Sequence, residues 1–108
     1  MKLKLLVIRS KDIAASVQFY EKIGLNFDYH RHGNGPMHYS CMVGETVFEL
    51  YPLLKQQKEA DSSTRLGFEV EHLDVLMKEL KEIGIAILQE PKESEFGYFA
   101  VVKDLDGR

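Results

Sequence analysis

Residues 5–27, LLVIRSKDIAASVQFYEKIGLNF, lie over residues 65–87, RLGFEVEHLDVLMKELKEIGIAI, without a gap. The offset is 60, fixed by Gly24 against Gly84. Each copy runs from a short alternating apolar stretch through an amphipathic helix to Ile-Gly and a second apolar stretch, Leu25 and Phe27 in one and Ile85 and Ile87 in the other. A repeat of this order means two copies of one supersecondary unit, and a cleft between duplicated units is a common place for function.

In the first copy, Leu3–Arg9 reads as a strand with Leu6 and Ile8 on one face and Leu5, Val7 and Arg9 on the other. Asp12 is the N-cap of a helix over about residues 12–23, where Val17, Phe19, Tyr20 and Ile23 recur at helical spacing and Gly24 supplies the stop. Asn26–Arg31 and Met37–Val43 read as strands joined by Gly33-Asn34-Gly35-Pro36, and Thr46–Pro52 as a third after Gly44-Glu45. The first unit is therefore βαβββ. Residues 53–64 are polar without alternation and read as a linker, with a short helical turn around Lys55–Ala60. In the second copy, Arg65–Glu71 alternates as a strand with Leu66, Phe68 and Val70 on one face, and Leu73, Leu76, Met77, Leu80 and Ile83 form a helical stripe. Ile85–Leu88 and Tyr98–Lys103 read as strands separated by a loop holding Pro91 and Gly97. The repeat predicts one more strand after Asp104–Arg108, so the last strand is expected to be absent from this chain.

The totals fit one domain of 108 residues, units about 1–52 and 65–108, with 44% hydrophobic and 29% charged residues. A net charge of -3 offers no basic patch, which argues against nucleic acid as a partner. No apolar run approaches the roughly 20 residues of a membrane span, and Met1–Ile8 is too short for a secretory signal, so a cytoplasmic location is expected. The single cysteine, Cys41, excludes an internal disulfide framework.

Three local motifs carry a resemblance. Ser16, Phe19, Tyr20 and Gly24-Leu25 match a helix signature, Phe48-Glu49-Leu50-Tyr51 a fourth-strand motif, and Asp104-Leu105-Asp106-Gly107-Arg108 a D-P-D-G-N turn. In this order, on a repeated unit, they resemble the vicinal oxygen chelate superfamily of glyoxalases, extradiol dioxygenases, and bleomycin and fosfomycin resistance proteins. The resemblance implies an α+β fold: two tandem βαβββ units forming a curved mixed sheet, helices on the outer face, ligand on the concave face, and two copies paired as a homodimer.

Enzymes of that superfamily place His, Glu or Gln at four inward positions around one divalent metal. Counting back from the helix signature puts the first position on Leu5, and the repeat offset puts the second on Arg65. Leu5 has no donor atom, and a guanidinium is a permanent cation with donors only. Glu49 matches the third position and the fourth falls beyond Arg108, so Glu49 is the only matching metal ligand and no cofactor is expected. A divalent zinc, nickel, iron or manganese ion is the alternative.

Strand alternation places Val7 and Arg9 with Leu5, Glu69 and Glu71 with Arg65, and Val47 and Tyr51 with Glu49. Glu49, Tyr51, Arg65, Glu69 and Tyr98 are the candidate ligand-binding residues, Tyr98 because it adjoins a loop with Gly97. The opposing reading makes the charges solvated, or a salt bridge between the units. Tyr29, Tyr39 and Phe96 read either as aromatic walls or as half-buried strand residues. His30, His32 and His38 flank one turn; three imidazoles there suit zinc or nickel, but an exposed edge hairpin with polar side chains is the expected reading. Cys41 is expected to be a small packed residue, and His72 a loop or cap residue.

With Leu5 and Arg65 in place of ligands, the function expected is metal-independent binding of a small aromatic or cationic molecule. A metal-dependent lyase of the glyoxalase type or a dioxygenase is the alternative, and a protein-interaction domain a second.

Overall fold

Asp12 begins the first helix as an N-cap must, its Oδ1 accepting the Ala15 N–H at 3.1 Å. The computed structural model, which describes all 108 residues, places β1 (Leu5–Ser10) before this cap and α1 (Ile13–Lys22) after it. α1 ends where Gly24 turns left-handed at φ +114°, with Gly24 N–H bonded to Glu21 and Leu25 N–H to the Tyr20 carbonyl. α2 (Leu73–Glu82) closes in the same way: Gly84 at φ +83° bonds Lys81, and Ile85 bonds Leu80. The 60-residue repeat is thus a repeat of one helix stop.

After α1 come β2 (Asp28–His30), β3 (His38–Val43) and β4 (Thr46–Pro52). They form with β1 a mixed four-stranded sheet in the order β1-β4-β3-β2, in which β1 and β4 are parallel and the other pairs antiparallel. Alternation then decides the faces. Leu6, Ile8 and Ser10 of β1 and Phe48 and Leu50 of β4 turn toward α1, where Val17, Phe19 and Tyr20 meet them in the core. Leu5, Val7, Arg9, Val47, Glu49 and Tyr51 turn to the opposite, open face.

The second half departs from the expected unit in two places. Arg65–Glu71 keeps the strand alternation, Leu66, Phe68 and Val70 being the less exposed residues, but it pairs with no strand. A strand needs a hydrogen-bonding neighbour, and between Arg65–Val70 and β6 (Gly97–Val102) lies a groove of about 930 Å³ floored by Leu73, Leu76, Met77 and Leu80. The other departure is β5 (Ile87–Ser94), which runs straight through Pro91 to pair with β6; the turn sits at Glu95 and Phe96. Pro91 is tolerated because the β5–β6 register breaks between Gln89 and Lys92, so no ladder bond is asked of its nitrogen. Residues 53–64 hold a turn, Gln57 N–H to Leu54 carbonyl, and no helix. The α+β class stands, and no helix is long and apolar enough to cross a membrane.

The halves meet through Asp104. Its Oδ2 accepts from the Tyr20 hydroxyl at 2.6 Å and from Arg108 Nε at 3.0 Å, and its Oδ1 from the Asp106 and Arg108 backbone N–H groups. Asp106 in turn accepts from Ser16 Oγ and the Lys11 N–H, while Phe68 lies edge-on to Tyr20 and Phe48. Burial, aided by the neighbouring Asp104, pushes the Tyr20 phenol well above its usual range, so it stays a donor. Because Arg108 and Asp104 are an almost wholly buried pair, Asp104→Ala is expected to cost about 3–5 kcal/mol: it removes the acceptor of four hydrogen bonds and leaves Asp106 as the one carboxylate on the guanidinium. Tyr20→Phe should cost only about 1 kcal/mol. Urea unfolding with an unchanged slope measures both, and equal losses would contradict this ranking.

Candidate functional site

The register of the first sheet sets polar and aromatic side chains in a row across its open face. Arg9 of β1 pairs with Tyr51 of β4, and His30 of β2 with His38 of β3. The His38 and Tyr51 rings close the row between the middle strands, stacked at 4.1 Å and 10° apart in plane. Arg9 is held by its bond to the Pro52 carbonyl at 2.9 Å and places its guanidinium carbon 5.2 Å from the Tyr51 ring centre. Both faces of the Tyr51 ring are therefore taken, while its hydroxyl makes no hydrogen bond. The next row along the strands is Val7, Glu49, Ser40 and Asp28, and the one after it Leu5, Val47 and Met42.

Glu49 and His38 are the buried members. His38 is 1% exposed, and its Nε2 lies 3.1 Å from Glu49 Oε2. No hydrogen bond is formed across this gap, and Nε2 has no other partner. Nδ1, by contrast, donates to the Pro36 carbonyl at 3.2 Å. His30 and His32 stand around His38 with ring centres 4.6 and 5.2 Å from it. One ligand atom from each of His30, His32, His38 and Glu49 falls within 4.8 Å of the others. The hairpin does lie at the sheet's edge through β2, and His32 is exposed, but the expectation of exposed side chains is corrected at His38: β3 is an inner strand flanked by β4 and β2, and His38 on it is fully covered.

The other expected site residues do not join this group. Arg65 and Glu69 are exposed on the unpaired segment and form neither an ion pair nor a side-chain hydrogen bond; the salt bridge weighed between the halves is not formed. Tyr98 donates its hydroxyl to Asp74 of α2 at 2.7 Å, which raises its pKa. Tyr29 and Tyr39 pack together on the helix side of the sheet at 4.4 Å, and Phe96 projects from the β5–β6 turn. His72 occupies the N-cap position of α2 without a side-chain bond.

A family model described as the Glyoxalase/Bleomycin resistance protein/Dioxygenase superfamily matches residues 2–108. The chain belongs to this superfamily. Comparison with curated proteins finds no match. Among solved structures, the chain is similar to a superfamily member from Sphaerobacter thermophilus DSM 20745, with 16% identity, TM-score 0.77, and coverage of 99% of this chain and 91% of that one. It is similar also to TnmS3, an antibiotic binding protein from Streptomyces sp. CB03234, with 21% identity, TM-score 0.76, and coverage of 99% and 89%. A glyoxalase/bleomycin resistance protein from the same Streptomyces gives 21% identity, TM-score 0.72, and coverage of 98% and 94%.

The superfamily's usual inward metal positions can be tested against the geometry. Leu5 pairs with Val47, and the β1 residue opposite Glu49 is Val7; neither carries a donor atom. Arg65 is a cation on the segment that would supply the second half's ligand. These positions do not fit a metal, and Glu49 faces His38 instead.

Cys41 is a packed residue as expected. It is 7% exposed beside Phe48, and burial pushes its thiol up, away from the reactive thiolate. The native protein at neutral pH should therefore react slowly with iodoacetamide, and the urea-unfolded chain readily. Equal rates measured by intact mass would contradict this packing.

Proposed function

We propose that the chain is a small-molecule-binding protein that holds a planar aromatic or cationic ligand on the open face of the first sheet. The observation that carries this reading is an apolar shelf left exposed beside polar handles: Leu5, Val7 and Met42 are 53%, 38% and 59% exposed, next to the unpartnered Tyr51 hydroxyl and the Glu49 carboxylate. Exposed apolar area of this kind marks a contact surface more often than solvent-facing decoration. Tyr51 meets a ligand by its edge and hydroxyl, since Arg9 and His38 occupy its faces. Arg65 and Glu69, exposed and unpaired, are the second half's contributors; the Tyr98 hydroxyl is committed to Asp74.

TnmS3, with a similar fold, is an antibiotic binding protein, which supports binding over catalysis here. So does the lack of a metal-ligating atom at Leu5 and Arg65, two of the positions from which a glyoxalase-type lyase holds its metal. Pairing of two copies belongs to the same reading, supported by the open groove between Arg65–Val70 and β6.

A panel of aromatic cations screened by thermal shift in chelator-containing buffer tests the binding. At least one compound should raise the melting temperature. Val7→Glu and Tyr51→Ala should each weaken it about tenfold or more, equivalent to roughly 1.4 kcal/mol. A panel without a hit, or a hit indifferent to both substitutions, would overturn this assignment of the face.

A further inference from the structure

We propose that His30, His32, His38 and Glu49 form a transition-metal site built by the first half alone, which shares Glu49 with the superfamily's usual inward positions but takes its other three ligands from β2, the loop after it and β3. It goes beyond the ligand shelf and does not depend on it. Four residues each bring one ligand atom to a common point, all within 4.8 Å of one another. A tetrahedral ion with bonds of about 2.0–2.2 Å sets its ligand atoms roughly 3.3–3.6 Å apart. Closing that difference needs little movement, and His32, exposed on the loop after β2, is free to make it.

His38 supplies the observation that points to a cation. Its Nδ1–H donates to the Pro36 carbonyl, which leaves the lone pair on Nε2, the tautomer a metal ligand requires. That lone pair is buried, has no hydrogen-bond partner, and lies 3.1 Å from a carboxylate oxygen. Two electron-rich atoms held so close in a covered site repel each other, and an orphaned buried polar atom is costly. A cation bound by both removes the repulsion and satisfies both at once.

The donor set selects the ion. Three imidazoles and one carboxylate suit zinc(II) or nickel(II) and are poor hosts for calcium or magnesium, which take oxygen ligands. The His30 and His32 rings, 4.8 Å apart and reached by a His-x-His spacing at the end of β2, close the site from the edge strand; His38 and Glu49 form its fixed floor.

The test uses the untagged 108-residue chain, stripped with a chelator and titrated with zinc(II) by calorimetry and with cobalt(II) by visible absorption. One equivalent of zinc and the intense bands of tetrahedral cobalt are expected. His30→Ala and His32→Ala, which leave the buried residues in place, should each lower affinity by more than the roughly 10–100-fold of a lost outer-shell partner. Glu49→Gln should abolish the stoichiometric site, with circular dichroism to verify the fold. His72→Ala, which removes an exposed histidine outside the cluster, should leave zinc binding unchanged. Failure to bind one equivalent, binding indifferent to His30→Ala and His32→Ala, or binding lost in His72→Ala would each overturn the proposal.

Discussion

The Asp104 carboxylate is the joint on which the two halves of this chain depend. The four-stranded sheet with α1 and the β5–β6 hairpin with α2 share no backbone ladder, so side chains must set their relation. Asp104 does this by accepting four hydrogen bonds, one from Tyr20 in the first half and three from its own turn. A carboxylate this covered is stable only if every lone pair is used and its charge is met. Arg108 meets it: burial works against the guanidinium charge, but Asp104 more than offsets that and holds it charged. The turn Asp104–Arg108 therefore acts as a clasp on α1, with Gly107 at φ +91° making the reversal that brings Arg108 back over Asp104.

Because the clasp grips the helix side of the first sheet, the opposite face is left to its own residues. This separates two demands that would otherwise compete. Phe48 and Leu50 bury fully toward α1, while their neighbours Glu49 and Tyr51 are free to carry chemistry on the other side. Glu49 is nevertheless buried, and its near neighbour is His38 of the same sheet, itself stacked on Tyr51. The group around Glu49, from Arg9 to Tyr51, thus comes from the first half alone.

What could be read from the sequence follows the range of the interactions involved. The helix stops at Gly24 and Gly84, the Asp12 cap and the faces of β1 and β4 are local or strictly periodic, and the residues themselves fix them. Arg65–Glu71 reads as a strand from its residues because alternation reports a half-buried face, whereas a strand also needs a partner that alternation cannot see. Pro91 reads as a loop residue because a proline breaks a ladder; the register shift that excuses it is a property of the pair, not of β5. The histidines fall between these cases. The tight turn at Gly44-Glu45 pairs Val43 with Thr46 and so Ser40 with Glu49, which already brings His38 beside Tyr51 on the Glu49 face. The seven residues between β2 and β3 hide the second register, and with it the convergence of His30 and His32.

One carboxylate links the two departures from the superfamily's habits. An acid at the Glu49 position, on the buried centre of a sheet, needs a counter-group whatever the protein does. Where β1 offers a donor, the acid can share an ion with it across the β1–β4 pair. Here β1 offers Leu5 and Val7, so β1 leaves Glu49 without a partner on that side. The opposite neighbour, β3, carries His38 within 3.1 Å. His38 on β3 thus meets the electrostatic requirement that Leu5 and Val7 leave unmet on β1. The apolar shelf of Leu5, Val7 and Met42 occupies the ground a metal centre would otherwise have polarised.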